Sequence, residues 1–266
     1  MKTRFIELIR SIEGNIDLAT IYFNEIKIHY NSKERAYHNL THIAQSMKEY
    51  DNFNIYSPKI ELAIWYHDVI YNPKRNDNEE KSSEFAKNQL TNMNVNHSLI
   101  NDSIRIINST KHTYLLSNLD EMIMSDIDLS IFGKDKQRLI QYEEGIRFEY
   151  SFVPENVYRI ERSKILKRFF EKDRIYYIDF FHNRYEEKAK RNLIYLINTL
   201  NETQFDFNLN NLPEAGMGLF EHWSEFDKPN DSYEGNLFSH WNENSENNLK
   251  NLPEAGIGLF DHWNKD

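Results

Sequence analysis

None of the 266 residues is cysteine, which excludes disulfides and thiolate metal sites. Any metal must therefore be held by nitrogen and oxygen. Such a composition is compatible with a reducing compartment, and the expected location is cytoplasmic. Long apolar runs are also missing. No segment approaches the roughly 18 uncharged apolar residues of a membrane span, and the start, Met1-Lys2-Thr3-Arg4-Phe5, has no apolar signal-peptide core. The expectation is a soluble chain with no membrane role. Glycine is scarce before residue 203, and no Asn-Gly type hairpin signal occurs there, so strand pairing has little support. Positive charge is not in excess either. The net charge is -10, and three of the 32 Lys/Arg against twelve of the 42 Asp/Glu lie from Thr203 onward, leaving 29 and 30 before it. An acidic terminus repels polyanions, which argues against broad nucleic-acid binding. A small phosphate-bearing substrate remains compatible with that charge.

What is present is helical periodicity. Apolar residues recur at helical spacing from Phe5 to Ile12 and from Ile60 to Tyr66. Similar patterns run through Ile104 to Ile107, Gln137 to Tyr150, Arg159 to Glu171 and Tyr185 to Leu200. A helix over Ser82 to Leu90 should start within Asn76-Asp77-Asn78-Glu79-Glu80, where acceptors can cap it and acids suit the positive end of its dipole. Residues 1–202 are therefore expected to form an all-α domain.

Within that domain, histidines and aspartates stand in suggestive places. His38 and His42 are spaced i, i+4, which would set both on one face of a helix. His67-Asp68 closes the apolar run Ile60 to Tyr66, ahead of Asn72-Pro73, which should stop the helix. An Asp buried there would be costly without a cation or a hydrogen-bond network. Asp126 and Asp128 alternate with Ile127 and Leu129; helix N-capping by one of them is the plain alternative. His112, in Ser109-Thr110-Lys111-His112-Thr113, is open to three readings: ligand, proton donor or surface residue.

The ordered set His42, His67-Asp68, Asp128 resembles the HD superfamily of metal-dependent phosphohydrolases. The surrounding segments Arg35-x-Tyr37-His38-Asn39-x-x-His42, Trp65-Tyr66-His67-Asp68-x-x-Tyr71, Asn78-Glu79-Glu80-x-Ser82, Asp126-x-Asp128-Leu129 and Arg147-x-Glu149-Tyr150 are similar to a bacterial branch of it, over about residues 1–200. The resemblance implies an HD-domain helical bundle holding one divalent cation through His42, His67, Asp68 and Asp128. Asp126 is the alternative ligand, and a second ion is left open. Asp128 is preferred because the last Asp of the superfamily usually precedes a helical apolar stretch. Mn, Mg, Fe, Co and Zn are not distinguished by such a donor set.

The implied activity is hydrolysis of a small phosphate ester, a nucleotide or related metabolite, with mono- and diesterase chemistry both open. His38, Glu79 and His112 are candidates to move protons, and Arg35 and Lys111 to grip phosphate. Ordinary surface charge is the alternative for those two cations. Arg147 and Glu149 could form a structural ion pair. The rival readings are a nucleotide-sensing scaffold with little turnover and a helical interaction domain whose histidines are structural.

From residue 203 the character changes to an acidic, Asn-rich and mostly irregular tail. The segment 212–223, Leu-Pro-Glu-Ala-Gly-Met-Gly-Leu-Phe-Glu-His-Trp, returns at 252–263 with Ile257 for Met217 and Asp261 for Glu221. A shortened copy, Asn-Leu-Phe-Ser-His-Trp, lies at 236–241. Leu, Phe and Trp together make an anchor set of the kind that fills partner pockets, and repetition raises avidity. The tail is expected to dock a protein partner.

Overall fold

A computed structural model of the chain describes residues 1–112 and 116–201. The expected appendage 203–266, with its repeats, lies outside the described residues. Ten α-helices make up the described part: α1 Lys2–Ser11, α2 Ile16–Tyr30, α3 Leu40–Phe53, α4 Pro58–Tyr66, α5 Asn78–Asn92, α6 His97–Ser109, α7 Leu119–Asp128, α8 Lys136–Glu149, α9 Glu155–Glu171 and α10 Asp179–Asn201. A single 3-10 helix, Leu129–Gly133, continues α7. No strand occurs among the described residues, so the protein is all-α, as its periodicity predicts.

Asparagine is abundant partly because it starts helices here. Asn15, Asn39, Asn96 and Asn118 each accept an N–H from the first turn of α2, α3, α6 and α7, satisfying donors that a helix leaves open. Pro58 begins α4, where a missing N–H costs nothing.

The bundle is built around α4. Every residue from Ile60 to Tyr66 is buried, so this helix is enclosed on all sides rather than presenting one stripe. Trp65 packs edge-on against Phe5 and Phe23, with ring centres 5.4 and 6.0 Å away. A side chain of this size contributes roughly 1.5–3 kcal/mol when fully buried. Helix α4 contacts α3, α5, α6 and α7, and its end thereby opens into the middle of the bundle. Helix α10 lies along α9 and the 3-10 helix. Gly133 is required there, since a Cβ would come within 2.5 Å of the Tyr185 ring.

Candidate metal centre

Imidazoles and carboxylates meet where helix ends converge. Asn39 has extended backbone and accepts the Thr41 N–H at 2.8 Å, which starts α3 and places His42 in its first turn. His67 and Asp68 follow the last residue of α4. Asp128 is the last residue of α7 and leads into the 3-10 helix. A helix C-terminus carries partial negative charge. Asp68 and Asp128 therefore sit where carboxylates are least favoured unless a cation offsets them.

The Nε2 atoms of His42 and His67 are 3.0 Å apart. Asp128 Oδ1 lies 3.2 Å from His42 Nε2 and 3.7 Å from His67 Nε2. Asp68 Oδ2 lies 3.0 Å from His67 Nε2 and 3.5 Å from His42 Nε2. Both imidazoles are buried. Burial alone would strip His67 of its proton, but Asp68 and Asp128 outweigh it and raise its proton affinity well above that of a free imidazole. Burial would likewise favour neutral acids, yet His67 and His38 hold the Asp68 carboxyl below its usual range. His112 and His42 do the same for Asp128.

The donor set fits a divalent cation. Ligand atoms 2.0–2.2 Å from one ion stand roughly 2.8–3.6 Å apart, close to the 3.0–3.7 Å among His42, His67 and Asp128; Asp68, expected as a fourth ligand, touches both imidazoles but falls outside that group. His67 Nδ1–H donates to the Ile64 carbonyl at 3.1 Å, which turns the Nε2 lone pair toward the cluster, as metal-binding histidines require. His42, His67 and Asp128 form a group able to hold a metal ion, their ligand atoms all within 4.8 Å of one another. His112 flanks this group, its Nε2 3.0 Å from Asp128 Oδ2. It adopts the left-handed conformation, φ 55°, just beyond the C-terminal cap of α6, a turn that histidine tolerates better than most residues.

The loop that carries His67-Asp68 is pinned on two sides. Ser82 Oγ donates to the Ile70 carbonyl and accepts the Ile70 N–H, at 3.0 and 3.1 Å. Asn78 accepts the Asn72 N–H and donates to its carbonyl, at 2.9 and 3.0 Å. Helix α4 ends at Tyr66, so this turn, rather than Pro73, stops it.

Several expectations need correction. His38 and His42 do not share a helical face, because Asn39 caps α3 and leaves His38 outside it. His38 instead stacks on Tyr71, ring centres 4.1 Å apart, and its Nδ1–H donates to Glu149 Oε2 at 2.6 Å. Glu149 Oε1 accepts the N–H groups of Tyr37 and His38 at 2.7 and 2.9 Å. Burial works against a proton on His38, but Glu149 and Asp68 outweigh it and raise its proton affinity. Arg147, one possible ion-pair partner of Glu149, meets Glu155 and the carbonyls of Tyr150 and Val153.

Asp126, the alternative ligand, faces away from the cluster. It is fully buried and accepts the N–H groups of Tyr177 and Ile178 at 2.9 and 2.7 Å, fixing the turn before α10. Burial pushes its carboxyl up to about 7. Arg35 does not offer its guanidinium to a ligand. It is buried and donates to the carbonyls of His38, Asp68 and Val69 at 3.3, 2.7 and 2.9 Å. Lys111 is held by Glu80 at 2.6 Å. Glu79 is half-buried at the start of α5, and burial together with the Asp68 charge raises its carboxyl.

Beside the cluster a small pocket is lined by Tyr37, His42, Gln45, Ser46, Asp128 and Lys134. The Tyr37 ring leans on His42 with centres 4.9 Å apart. Helix α8 presses this segment closely: a Cβ on Gly145 would stand 3.1 Å from Tyr37 Cβ and 3.3 Å from its backbone nitrogen.

No helix among the described residues is long and apolar enough to cross a membrane. Comparison with protein-family models, curated proteins and solved structures returned no match.

Proposed function

We propose that the chain is a divalent-metal-dependent phosphohydrolase of the HD type, acting in the cytoplasm on a small phosphate ester such as a nucleotide or related metabolite. The observation that carries this reading is the convergence of His42, His67 and Asp128, with Asp68 beside them, at distances suited to one ion. A divalent cation held there would lower the pKa of bound water and neutralise charge on a phosphoryl oxygen. The residues around it would handle orientation and protons. His38, held through Nδ1 by Glu149, would give a proton to a departing ester oxygen. His112 shares a hydrogen bond with Asp128 and keeps that carboxylate oriented. Arg35, through the carbonyls it gathers, holds the segments of His38 and Asp68 together.

Metal analysis of purified wild type and of a His67→Ala/Asp68→Ala variant tests the reading. Stoichiometric metal in the first and none in the second is expected, with turnover of at least one member of a phosphomonoester, phosphodiester and nucleotide panel. A fully metal-loaded wild type that hydrolyses none of them would overturn the enzyme assignment in favour of a nucleotide-sensing scaffold.

The tail is a separate proposal, supported by the near-exact return of 212–223 at 252–263: it docks a protein partner through the Leu, Phe and Trp of each copy. A chain ending at residue 202 should retain hydrolysis and lose partner capture. Loss of soluble folding on that truncation would point to docking on the helical body instead.

A further inference from the structure

The far end of α10 carries aliphatic side chains that the rest of the described residues leave uncovered. Arg159 donates to the Leu200 and Thr199 carbonyls at 2.7 and 2.9 Å, and Lys190 donates to the Phe170 carbonyl at 2.5 Å. Helices α9 and α10 therefore run antiparallel, the start of one beside the end of the other. Val157, Ile160, Lys164 and Lys167 form an exposed stripe on α9, and Glu187, Arg191, Ile194 and Asn198 mostly expose another on α10. Ile160 adjoins Arg159 and Ile194 lies one turn past Lys190, so both border the seam between the helices. Val157 is 37 % exposed, Ile160 56 % and Ile194 43 %. Three aliphatic residues left open around one helix end make a patch suited to an apolar ligand rather than scattered surface residues.

The chain itself continues from this place, running on from 202 to 266. Ten residues, 202–211, separate the end of α10 from the first repeat, 212–223. Ten residues reach at most roughly 33–36 Å, and Ile194 lies only roughly 10 Å back along the helix. Charge agrees with such a return. Segment 202–223 carries Glu202, Asp206, Glu214 and Glu221 and no Lys or Arg, whereas α9 and α10 carry nine Lys/Arg against six Asp/Glu. Lys164 and Arg191 meet Glu161 and Glu187 in exposed pairs, which hold little energy of their own. Lys167 has no ion pair among the described residues.

We propose that the first repeat seats Leu219, Phe220 and Trp223 on the apolar end of the α9–α10 seam of its own chain. Tethering favours this occupant, because a short linker gives it an effective concentration in the millimolar range. The later copy, 252–263, closes a longer loop at greater entropic cost and stays available. The contact is independent of the metal reading. It gives the partner-docking tail a resting state: a partner that takes the first copy must displace it from the seam, while the second copy is met directly.

The full chain has no cysteine, so introduced thiols report without background. Ile160→Cys combined with Phe220→Cys, under mild oxidation by oxidised glutathione, should form a disulfide within one chain. Adding Leu219→Asp and Trp223→Asp keeps the tether and removes the anchors, and should slow that disulfide about tenfold or more. Ile160 is exposed and the other substitutions lie outside the helical body, so folding is preserved; mass spectrometry and a non-reducing gel identify the product. Equal rates with and without the anchors would show mere proximity and overturn the contact. A disulfide joining two chains overturns it in favour of a second copy on the seam, and no disulfide at all overturns it outright. Partner capture by the 252–263 copy does not pass through this contact, so its failure leaves the partner reading standing.

Discussion

His42 and His67 bring their Nε2 atoms to 3.0 Å across the gap between the first turn of α3 and the end of α4. Two imidazole nitrogens at that distance need a proton or a metal between or beside them, and Asp68 and Asp128 supply the matching negative charge. A divalent ion that binds the folded chain alone stabilises it by about 2.7 kcal/mol at a free concentration one hundred times its Kd. Addition of Mn2+ or Zn2+ should therefore raise the melting temperature of the wild type by several degrees, and a chelator should reverse the rise. His67→Ala should show no such response. An equal metal-dependent shift in both proteins would remove the ion from this place.

Asp126 and Asp128 are two residues apart and should behave oppositely. Asp126→Ala leaves two part-buried N–H groups without their acceptor and should cost roughly 1–3 kcal/mol in all, while metal binding is retained at temperatures where the variant is folded. Asp128→Ala should abolish metal binding at a smaller cost to the metal-free protein. Denaturant melts with parallel metal analysis distinguish them. The reverse pattern would make Asp126 the ligand.

The His38–Glu149 pair should leave a pH signature. The proton affinity of His38 is raised in the folded state, so its stabilising contribution is complete below the unfolded value near 6.5. It is lost as pH climbs through the higher folded value. Glu149→Gln keeps an oxygen for the Tyr37 and His38 N–H groups and removes the charge. Wild type should exceed this variant in stability most at pH 5–6, with the gap narrowing above neutrality. A gap that is constant with pH would show that the pair is uncharged.

Arg35→Lys tests the reassignment of that cation. One ammonium cannot span the carbonyls of His38, Asp68 and Val69 as a planar guanidinium does, so the variant should lose roughly 1–3 kcal/mol of stability. Its affinity for inorganic phosphate, measured on folded protein, should remain within about twofold of wild type. A large loss of phosphate affinity with unchanged stability would restore Arg35 to the ligand.

Helix content could be read from residue order because apolar spacing is a local signal, whereas the set His42, His67 and Asp128 came only from the resemblance of its motifs, since the three stand far apart in the chain. Helix α2 gave little notice, since its Ile, Tyr and Phe are weak helix formers; burial of Ala19, Phe23, Ile26 and Tyr30 along one face decides it. The i, i+4 argument for His38 failed on a single capping residue, Asn39. Arg35, which the sequence offers as a grip for phosphate, is instead taken up by backbone carbonyls. That the Asp68 and Val69 carbonyls claim it depends on partners 33 and 34 residues away, and no short-range pattern encodes such distances.

Gly145 contributes no side-chain donor, acceptor or charge, yet its bare backbone lets α8 come close to Tyr37. Helix α8 holds the Tyr37–His38 strip by two means four residues apart, the bare backbone of Gly145 and the carboxylate of Glu149. A single added methyl would make the Tyr37 segment give by a few tenths of an ångström, and the ring that leans on His42 would move with it while every ligand stays in the chain. Position 145 thus sets how closely that ring is held, which an inventory of histidines leaves out.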